Sequence, residues 1–278
     1  MDSDLNIQRA TKEIKNADAL LITAGAGIGV DSGLPDFRGD KGFWKAYPPI
    51  AKLGISFYEM ANPRWFTHDP SLAWAFYGHR LNLYRATKPN EAFTQLKEIA
   101  EKKPGGYFIF TSNVDGQFQK AGFNRNWIEE CHGSIHHLQC VSNCSENVWS
   151  AEGIDVIVDE EEFRAQAPLP ACKKCNGLAR PNILMFGDWG WIPNRSDAQS
   201  YRFQSWLQDI VKAKKRIAII EIGAGESVPT VRRRSENVAA NFNSILIRIN
   251  PRDYHVPHGH ISIPLGGAEG MDKIYQQL

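Results

Sequence analysis

Short apolar runs alternate along the chain with longer polar stretches that carry apolar residues at helical spacing. The runs are Ala19-Leu20-Leu21-Ile22, Tyr107-Phe108-Ile109-Phe110, Trp127-Ile128-Glu129-Glu130, Arg216-Ile217-Ala218-Ile219-Ile220 and Ser244-Ile245-Leu246-Ile247-Arg248-Ile249. Nearly continuous runs of this length predict strands buried on both faces, as in a parallel sheet. Between them, residues 72–86 and 90–101 predict helices. Strand and helix in alternation predict an α/β fold, a doubly wound, Rossmann-like parallel sheet.

Two segments break the rhythm. Residues 40–85 are crowded with aromatics (Phe43, Trp44, Tyr47, Phe57, Tyr58, Trp65, Phe66, Trp74, Phe76, Tyr77) and predict an inserted helical module. Residues 136–180 hold four of the five cysteines and show little helical periodicity. The expected organisation is a discontinuous sheet domain over 1–39, 86–135 and 181–278, a helical insert over 40–85 and a metal module over 136–180.

Composition narrows the partners. With 278 residues, 42% hydrophobic and 23% charged, the chain has the make-up of a soluble globular protein able to bury a sizeable core. A net charge of +1 gives no general reason to expect nucleic acid or an anionic membrane. No apolar run approaches the roughly 20 residues of a membrane span. The polar, mixed-charge N-terminus does not read as a secretory signal. The run Arg232-Arg233-Arg234 reads as a solvated helix face. Five cysteines, an odd count, argue against a closed disulfide framework and for a reducing, cytoplasmic setting. No sustained heptads point to a coiled coil, and the oligomeric state stays open.

The cysteine spacing itself carries chemistry. Cys140-x3-Cys144 and Cys172-x2-Cys175, with 27 residues between the pairs, supply four thiolates for one tetrahedral zinc. Four protein ligands close the site, so the zinc is expected to be structural. His136 and His137 lie near the first pair but are not required. Cys131, the odd cysteine, reads as a small buried residue rather than a nucleophile.

Gly25-Ala26-Gly27 follows the first predicted strand and suits the close approach of a diphosphate. It does not complete the dehydrogenase pattern G-x-G-x-x-G, because the third position after Gly27 is Val30. The continuation Asp31-Ser32-Gly33-Leu34-Pro35 ends any helix early. Asp36-Phe37-Arg38 then offers an acid, an aromatic face and a guanidinium in succession. Over a bound NAD, Phe37 would shield the nicotinamide–ribose bond and Arg38 would reach phosphate or carboxylate. That arrangement points to a site where the bond is broken, not to hydride transfer.

The stretch GAGIGVDSGLPDFRG strongly resembles the signature loop of the sirtuins, a family of NAD-dependent protein deacylases. Further likenesses follow in order: Thr111-Ser112-Asn113-Val114-Asp115, Cys131-His132-Gly133-Ser134, Phe186-Gly187-Asp188 and Ile249-Asn250. The resemblance implies NAD as co-substrate and an acylated lysine peptide or protein as substrate. It implies cofactor contacts from Gly25, Ala26, Gly27, Asp36, Phe37, Arg38, Ser112, Asn113, Asp115, Gly223, Ala224, Gly225 and Asn250. Asp36, Asn113 and Asp115 would position nicotinamide and ribose. His132 would be the general base on a ribose hydroxyl, on the way to O-acyl-ADP-ribose and free lysine. The backbone at Phe186 and Gly187 would pair with the extended substrate peptide.

Tyr77-x-x-Arg80 resembles the motif of sirtuins that remove malonyl, succinyl and glutaryl groups. At i and i+3 the hydroxyl and guanidinium share a helix face, and arginine suits bidentate carboxylate binding. The alternative is an aromatic core position with an arginine reaching outward. Gly29, Ser112 and the segment Gly223-Ala224-Gly225-Glu226-Ser227 depart from the family pattern. Trp189 and Trp191 beside the substrate segment would deepen the acyl pocket, narrow the peptide groove, or simply pack. The altered groove keeps open a second reading, an NAD-consuming ADP-ribosyltransferase or glycohydrolase on the same scaffold. A non-enzymatic NAD-sensing module is a third.

Overall fold

The structure, a computed structural model, describes residues 3–35 and 39–278. Its strands are β1 (Ala19–Ala24), β2 (Tyr107–Thr111), β3 (Ile128–Glu130), β4 (Gly133–Cys140), β5 (Trp149–Ser150), β6 (Val158–Asp159), β7 (Arg164–Ala165), β8 (Ala179–Ile183), β9 (Ile217–Ile222), β10 (Ser244–Ile249) and β11 (Ile261–Ile263). Six of them form one sheet in the order β11-β10-β9-β1-β2-β3, and every pairing in it is parallel.

The predicted double burial is visible in β1, whose six residues are all buried. Leu20, Ile22 and Ala24 pack on one face with the helices Ser3–Asn16, Glu91–Glu101 and Gly267–Tyr275. Ala19 and Leu21 pack on the other with the helices Asn194–Lys212 and Thr230–Asn241. This is the doubly wound sheet that the apolar runs predict. The third run starts one residue late, because Trp127 closes a 3-10 turn before Ile128. Arg248 interrupts the apolar character of β10 and is nevertheless fully buried. It stands in register with Glu221 of β9 and binds both carboxylate oxygens, so neither charge is left unpaired.

The arginine run departs from its sequence reading. Only Arg233 is exposed. Arg232 is buried and donates to the carbonyls of Asp253 and His255, while Arg234 lies over the rings of Phe110 and Phe203 at 4.8 and 5.4 Å. Consecutive helical residues point about 100° apart, so three arginines in a row cannot share one solvated face.

The remaining strands build an antiparallel sheet, β5-β4-β8, and a small β6-β7 ribbon. Residues of the helical insert and of this region share one apolar cluster, including Phe43, Tyr47, Phe76, Tyr77, Leu138 and Val156. The helix Pro70–Ala86 runs along it, and Gly78 allows the approach: a Cβ there would sit 2.3 Å from Val156 Cγ1. None of the helices among the described residues is long and apolar enough to cross a membrane.

The turn from β3 to β4 depends on Gly133. Its φ is +78°, and a Cβ would lie 2.0 Å from the carbonyl oxygen of Asn182 on β8. Gly133→Ala is expected to cost about 3 kcal/mol through backbone strain and collision. That should lower the thermal midpoint by roughly 6–12 °C. A midpoint within about 2 °C of wild type would contradict the packing described here.

Candidate active site

Strand order reverses at β1, between β9 on one side and β2 on the other, and the loops leaving β1 and β9 meet there. Gly25 N–H donates to the Ile222 carbonyl at 3.0 Å, and Gly27 N–H donates to the Gly223 carbonyl at 3.1 Å. The approach excludes side chains. A Cβ on Gly25 would lie 2.7 Å from the Gly223 oxygen, and one on Gly223, whose φ is +64°, would lie 2.5 Å from the backbone of Gly27. Ala26–Ser32 then forms a 3-10 helix that stops at Gly33 with φ +84°.

Two asparagines hold this crevice. Asn113 Nδ2 donates to the Gly25 carbonyl at 3.1 Å, and its own N–H donates to Thr111 Oγ1 at 3.0 Å. Asn250 Nδ2 donates to the Ala224 carbonyl at 2.8 Å, while its Oδ1 accepts from the N–H groups of Arg252 and Asp253. Ser112 N–H ties β2 to β1 through the Ala24 carbonyl. Gly25, Ala26, Gly27, Ser112, Asn113, Gly223, Ala224 and Asn250 thus come together at one sheet edge, with Gly225 continuing the β9 loop. Asp36, Phe37 and Arg38 lie outside the described residues.

Asp115 stands beside this edge, 9% exposed. Burial pushes its pKa up to about 6, and the charge of Glu130 adds to that. The hydrogen bond from Gln117 N–H to Asp115 Oδ1, 2.9 Å, acts in the opposite sense. His136 Nε2 approaches the Asp115 carbonyl at 2.8 Å, which requires that nitrogen to carry the proton. His132 occupies the tight β3–β4 turn, half-buried, with its carbonyl accepting from Leu184 N–H at 3.0 Å. Burial lowers its pKa, so its imidazole is neutral near pH 7 and able to accept a proton. The Cys131 thiol is pushed up to about 12 by burial and then by Glu129, which makes it a poor nucleophile.

The contacts that hold the His132 turn are not legible as a motif. Glu130 binds Arg195 and Gln199 through its carboxylate, accepts from Ser196 Oγ at its carbonyl, and donates its N–H to Gln199 Oε1 at 3.0 Å. The helix Asn194–Lys212 therefore clamps the end of β3 just before the histidine. Three polar groups at i, i+1 and i+4 on one helix are the only sequence trace of this clamp.

On the insert side, Tyr77 and Arg80 do share a face, and that face points inward. Tyr77 is 1% and Arg80 7% exposed, so the arginine does not reach outward. The Arg80 guanidinium lies 5.2, 5.7 and 5.4 Å from the ring centres of Phe76, Tyr77 and Tyr84. The Tyr77 ring stacks on Phe66 at 5.6 Å, and its buried hydroxyl has no hydrogen-bond partner among the described residues.

In the Phe186 segment, Phe186 N–H donates to the Ala61 carbonyl at 2.9 Å and its ring lies 4.4 Å from that of Tyr58. Gly187 takes a φ of +66°. Asp188 forms a buried, two-pronged pair with Arg180 at 2.7 and 2.9 Å and also accepts from Gly190 N–H, which fixes the turn. Trp189 is 100% exposed, so it does not pack. Trp191 is half-buried, with its indole N–H buried.

The four cysteines converge as their spacing predicts. Their Sγ atoms all lie within 4.8 Å of one another, with Cys140–Cys175 and Cys144–Cys172 at 3.6 Å. Zinc–thiolate bonds of about 2.3 Å in a tetrahedron demand sulfur separations near 3.8 Å, so the set fits a zinc ion. Asn143 and Asn176 turn the chain beside each pair with φ of 47° and 60°. His136 is engaged at Asp115 instead, and four thiolates leave no position for water.

Strand order and paired glycine loops place this chain among the dinucleotide-binding α/β folds. Within that class it belongs to the Sir2 family, whose model matches residues 25–201. It is 28% identical over 269 residues to an NAD-dependent protein deacylase of Thermus thermophilus, covering 95% of this chain and 92% of the relative. It is 34% identical over 179 residues to an NAD-dependent protein deacylase of Aquifex aeolicus, covering 63% and 64%. Among solved structures it is similar to a Sir2 homologue–NAD complex, with TM-score 0.66, 26% identity and coverage of 97% and 92%. A mutant Sir2 homologue in complex with ADP ribose gives TM-score 0.70 at 26% identity, covering 97% and 95%.

The thiolate cluster yields a direct test. Metal analysis of the purified protein is expected to find one zinc per chain, and Cys172→Ser to lose most of it. Wild-type protein free of zinc after purification without chelator would refute the module.

Proposed function

We propose that this chain is an NAD-dependent protein-lysine deacylase of the sirtuin type that favours acyl groups ending in a carboxylate, such as succinyl and malonyl. Family membership and the activity named for its relatives support the deacylase reading. One observation carries the preference. The Tyr77 hydroxyl is buried without a hydrogen-bond partner among the described residues, next to a guanidinium enclosed by aromatic rings. A buried hydroxyl left unmatched is costly, and a carboxylate on the acyl group would satisfy it and bind the arginine together.

The crevice suits NAD: it lies at the carboxyl edge of the sheet where strand order reverses, between glycine loops packed backbone to backbone. Bound NAD would supply an electrophilic ribose carbon and nicotinamide as its leaving group. This chain's residues do the rest. Asn113 and Asp115, with Asp36, orient the nicotinamide ribose. His132, neutral in its half-buried turn, takes a proton from a ribose hydroxyl at a ring nitrogen. Phe186 and Gly187 guide the peptide backbone, Tyr77 and Arg80 receive the acyl end, and Cys140, Cys144, Cys172 and Cys175 hold the structural zinc.

Acyl preference is measured directly with peptides that differ only in the acyl group. The kcat/KM for succinyl-lysine should exceed that for acetyl-lysine. Arg80→Met should cut the succinyl value by about 10–100-fold, the span expected for a lost charged hydrogen bond. An enzyme that favours acetyl and ignores the substitution would sink the preference.

Acidity supplies an independent check. Burial lowers the His132 pKa and keeps its imidazole neutral at neutrality, so no loss is expected there, and on the acid side a loss is expected from Asp115. Its carboxylate is lost as pH falls through about 6. The kcat/KM for NAD should be level around neutrality and drop through that value. A profile already falling above neutrality would contradict the assignment.

A further inference from the structure

The cage around Arg80 contains a residue that belongs to no motif and acts on the same guanidinium. Tyr84 follows Arg80 by one helical turn, at i+4, and is buried. Its hydroxyl accepts a hydrogen bond from Arg80 Nε at 3.0 Å, and its ring centre lies 5.4 Å from the guanidinium carbon. Tyr84 is itself held from the cofactor side. Gln117 Nε2 donates to the Tyr84 carbonyl at 3.2 Å, and the Gln117 N–H is bound by Asp115 Oδ1 at 2.9 Å.

The two kinds of contact constrain different motions. An aromatic face against a guanidinium limits its tilt but tolerates rotation within the plane, because the attraction depends on the ring's quadrupole rather than on one N–H direction. A carboxylate is matched only by a guanidinium edge presented in plane and in the right rotation. The Nε–hydroxyl bond fixes that rotation. We infer that Tyr84 is a specificity-determining positioning residue: by holding Arg80 Nε, it sets the in-plane orientation with which Arg80 meets an acyl carboxylate. Tyr84 acts through Arg80 rather than on the acyl group, and the inference rests on the acidic-acyl reading above. It also gives the acyl end and the Asp115 loop one shared support, the segment Tyr84–Gln117–Asp115.

Tyr84→Phe isolates the hydroxyl and keeps the ring. Steady-state kinetics of wild type and Y84F are compared on succinyl- and acetyl-lysine versions of one peptide at saturating NAD, with thermal midpoints recorded for both proteins. The ratio of kcat/KM for succinyl over acetyl should fall about tenfold in Y84F. The change should lie in the succinyl KM rather than in kcat, and the loss of a bond to a buried guanidinium should lower the midpoint by roughly 3–12 °C without unfolding the protein. Tyr84→His, which returns an acceptor at that place, should recover part of the ratio. If wild type prefers succinyl and Y84F keeps its ratio within about twofold, the inference about Tyr84 is overturned while the acidic-acyl reading stands. A common rise in both KM values, or a loss confined to kcat, would reveal a structural role and overturn it as well. If wild type shows no preference for succinyl, both readings fall together.

Discussion

Two loops that leave neighbouring strands press backbone against backbone, and the site is built around that contact. At Gly25 and Gly223 no side chain has room, because a Cβ on either would come within 2.5–2.7 Å of the opposite loop. The contact exists because β9 pairs with β1 in parallel register, so both strands end at the same height and release their loops at the same edge. Asn113 and Asn250, arriving from β2 and β10, brace the loops from either side through the carbonyls of Gly25 and Ala224. Asp115 and His132 follow β2 and β3, which are parallel to β1 and end at this same edge.

A second constraint brings an imidazole to that edge. His132 lies in a turn whose next residue must be glycine, since the carbonyl of Asn182 fills the space a Cβ would need. The turn is clamped from β3 by the Glu130–Arg195–Gln199 contacts and from β8 through the bond between the His132 carbonyl and Leu184 N–H. Because β4 runs from this turn into Cys140, the thiolate cluster secures the far end of the same strand. The zinc module is therefore structural in a definite sense: it anchors the sheet on which the histidine turn is hung. Gly78 allows the helix Pro70–Ala86 to pack against Val156 of the same module.

The sequence shows most clearly what depends on burial and spacing. Five strands of the main sheet are legible as short β-rich runs, although β3 carries two glutamates and β10 an arginine, while β11 escapes notice because Ile261–Ile263 is too short to stand out. The cysteine pairs are legible because their spacing alone defines a ligand set. Tyr77 and Arg80 are legible as a pair, but whether the pair faces the core or the solvent depends on packing that no local pattern encodes. The Arg232–Arg234 run misleads for a related reason: like charges in a row suggest a solvated face, yet helical geometry turns two of them toward carbonyls and rings. Glu130, His136, Gln117 and Tyr84 are not legible as site supports, since their partners lie up to 69 residues away or belong to the main chain. For the signature loop, the chemistry of Asp36, Phe37 and Arg38 rests on the residue types and the resemblance, since they lie outside the described residues.

In the proposed reaction the glycosidic bond of NAD, not its hydride, is the reactive part, and its breakage is coupled to removal of an acyl group. Mass spectrometry of the full product mixture, after incubation with NAD and a succinyl-lysine peptide, tests it most directly. The expected products are nicotinamide, free-lysine peptide and O-succinyl-ADP-ribose in equal amounts, and none of them when either NAD or the peptide is left out. Free ADP-ribose formed without the peptide, ADP-ribose attached to protein, or NAD recovered intact beside an unchanged peptide would contradict it.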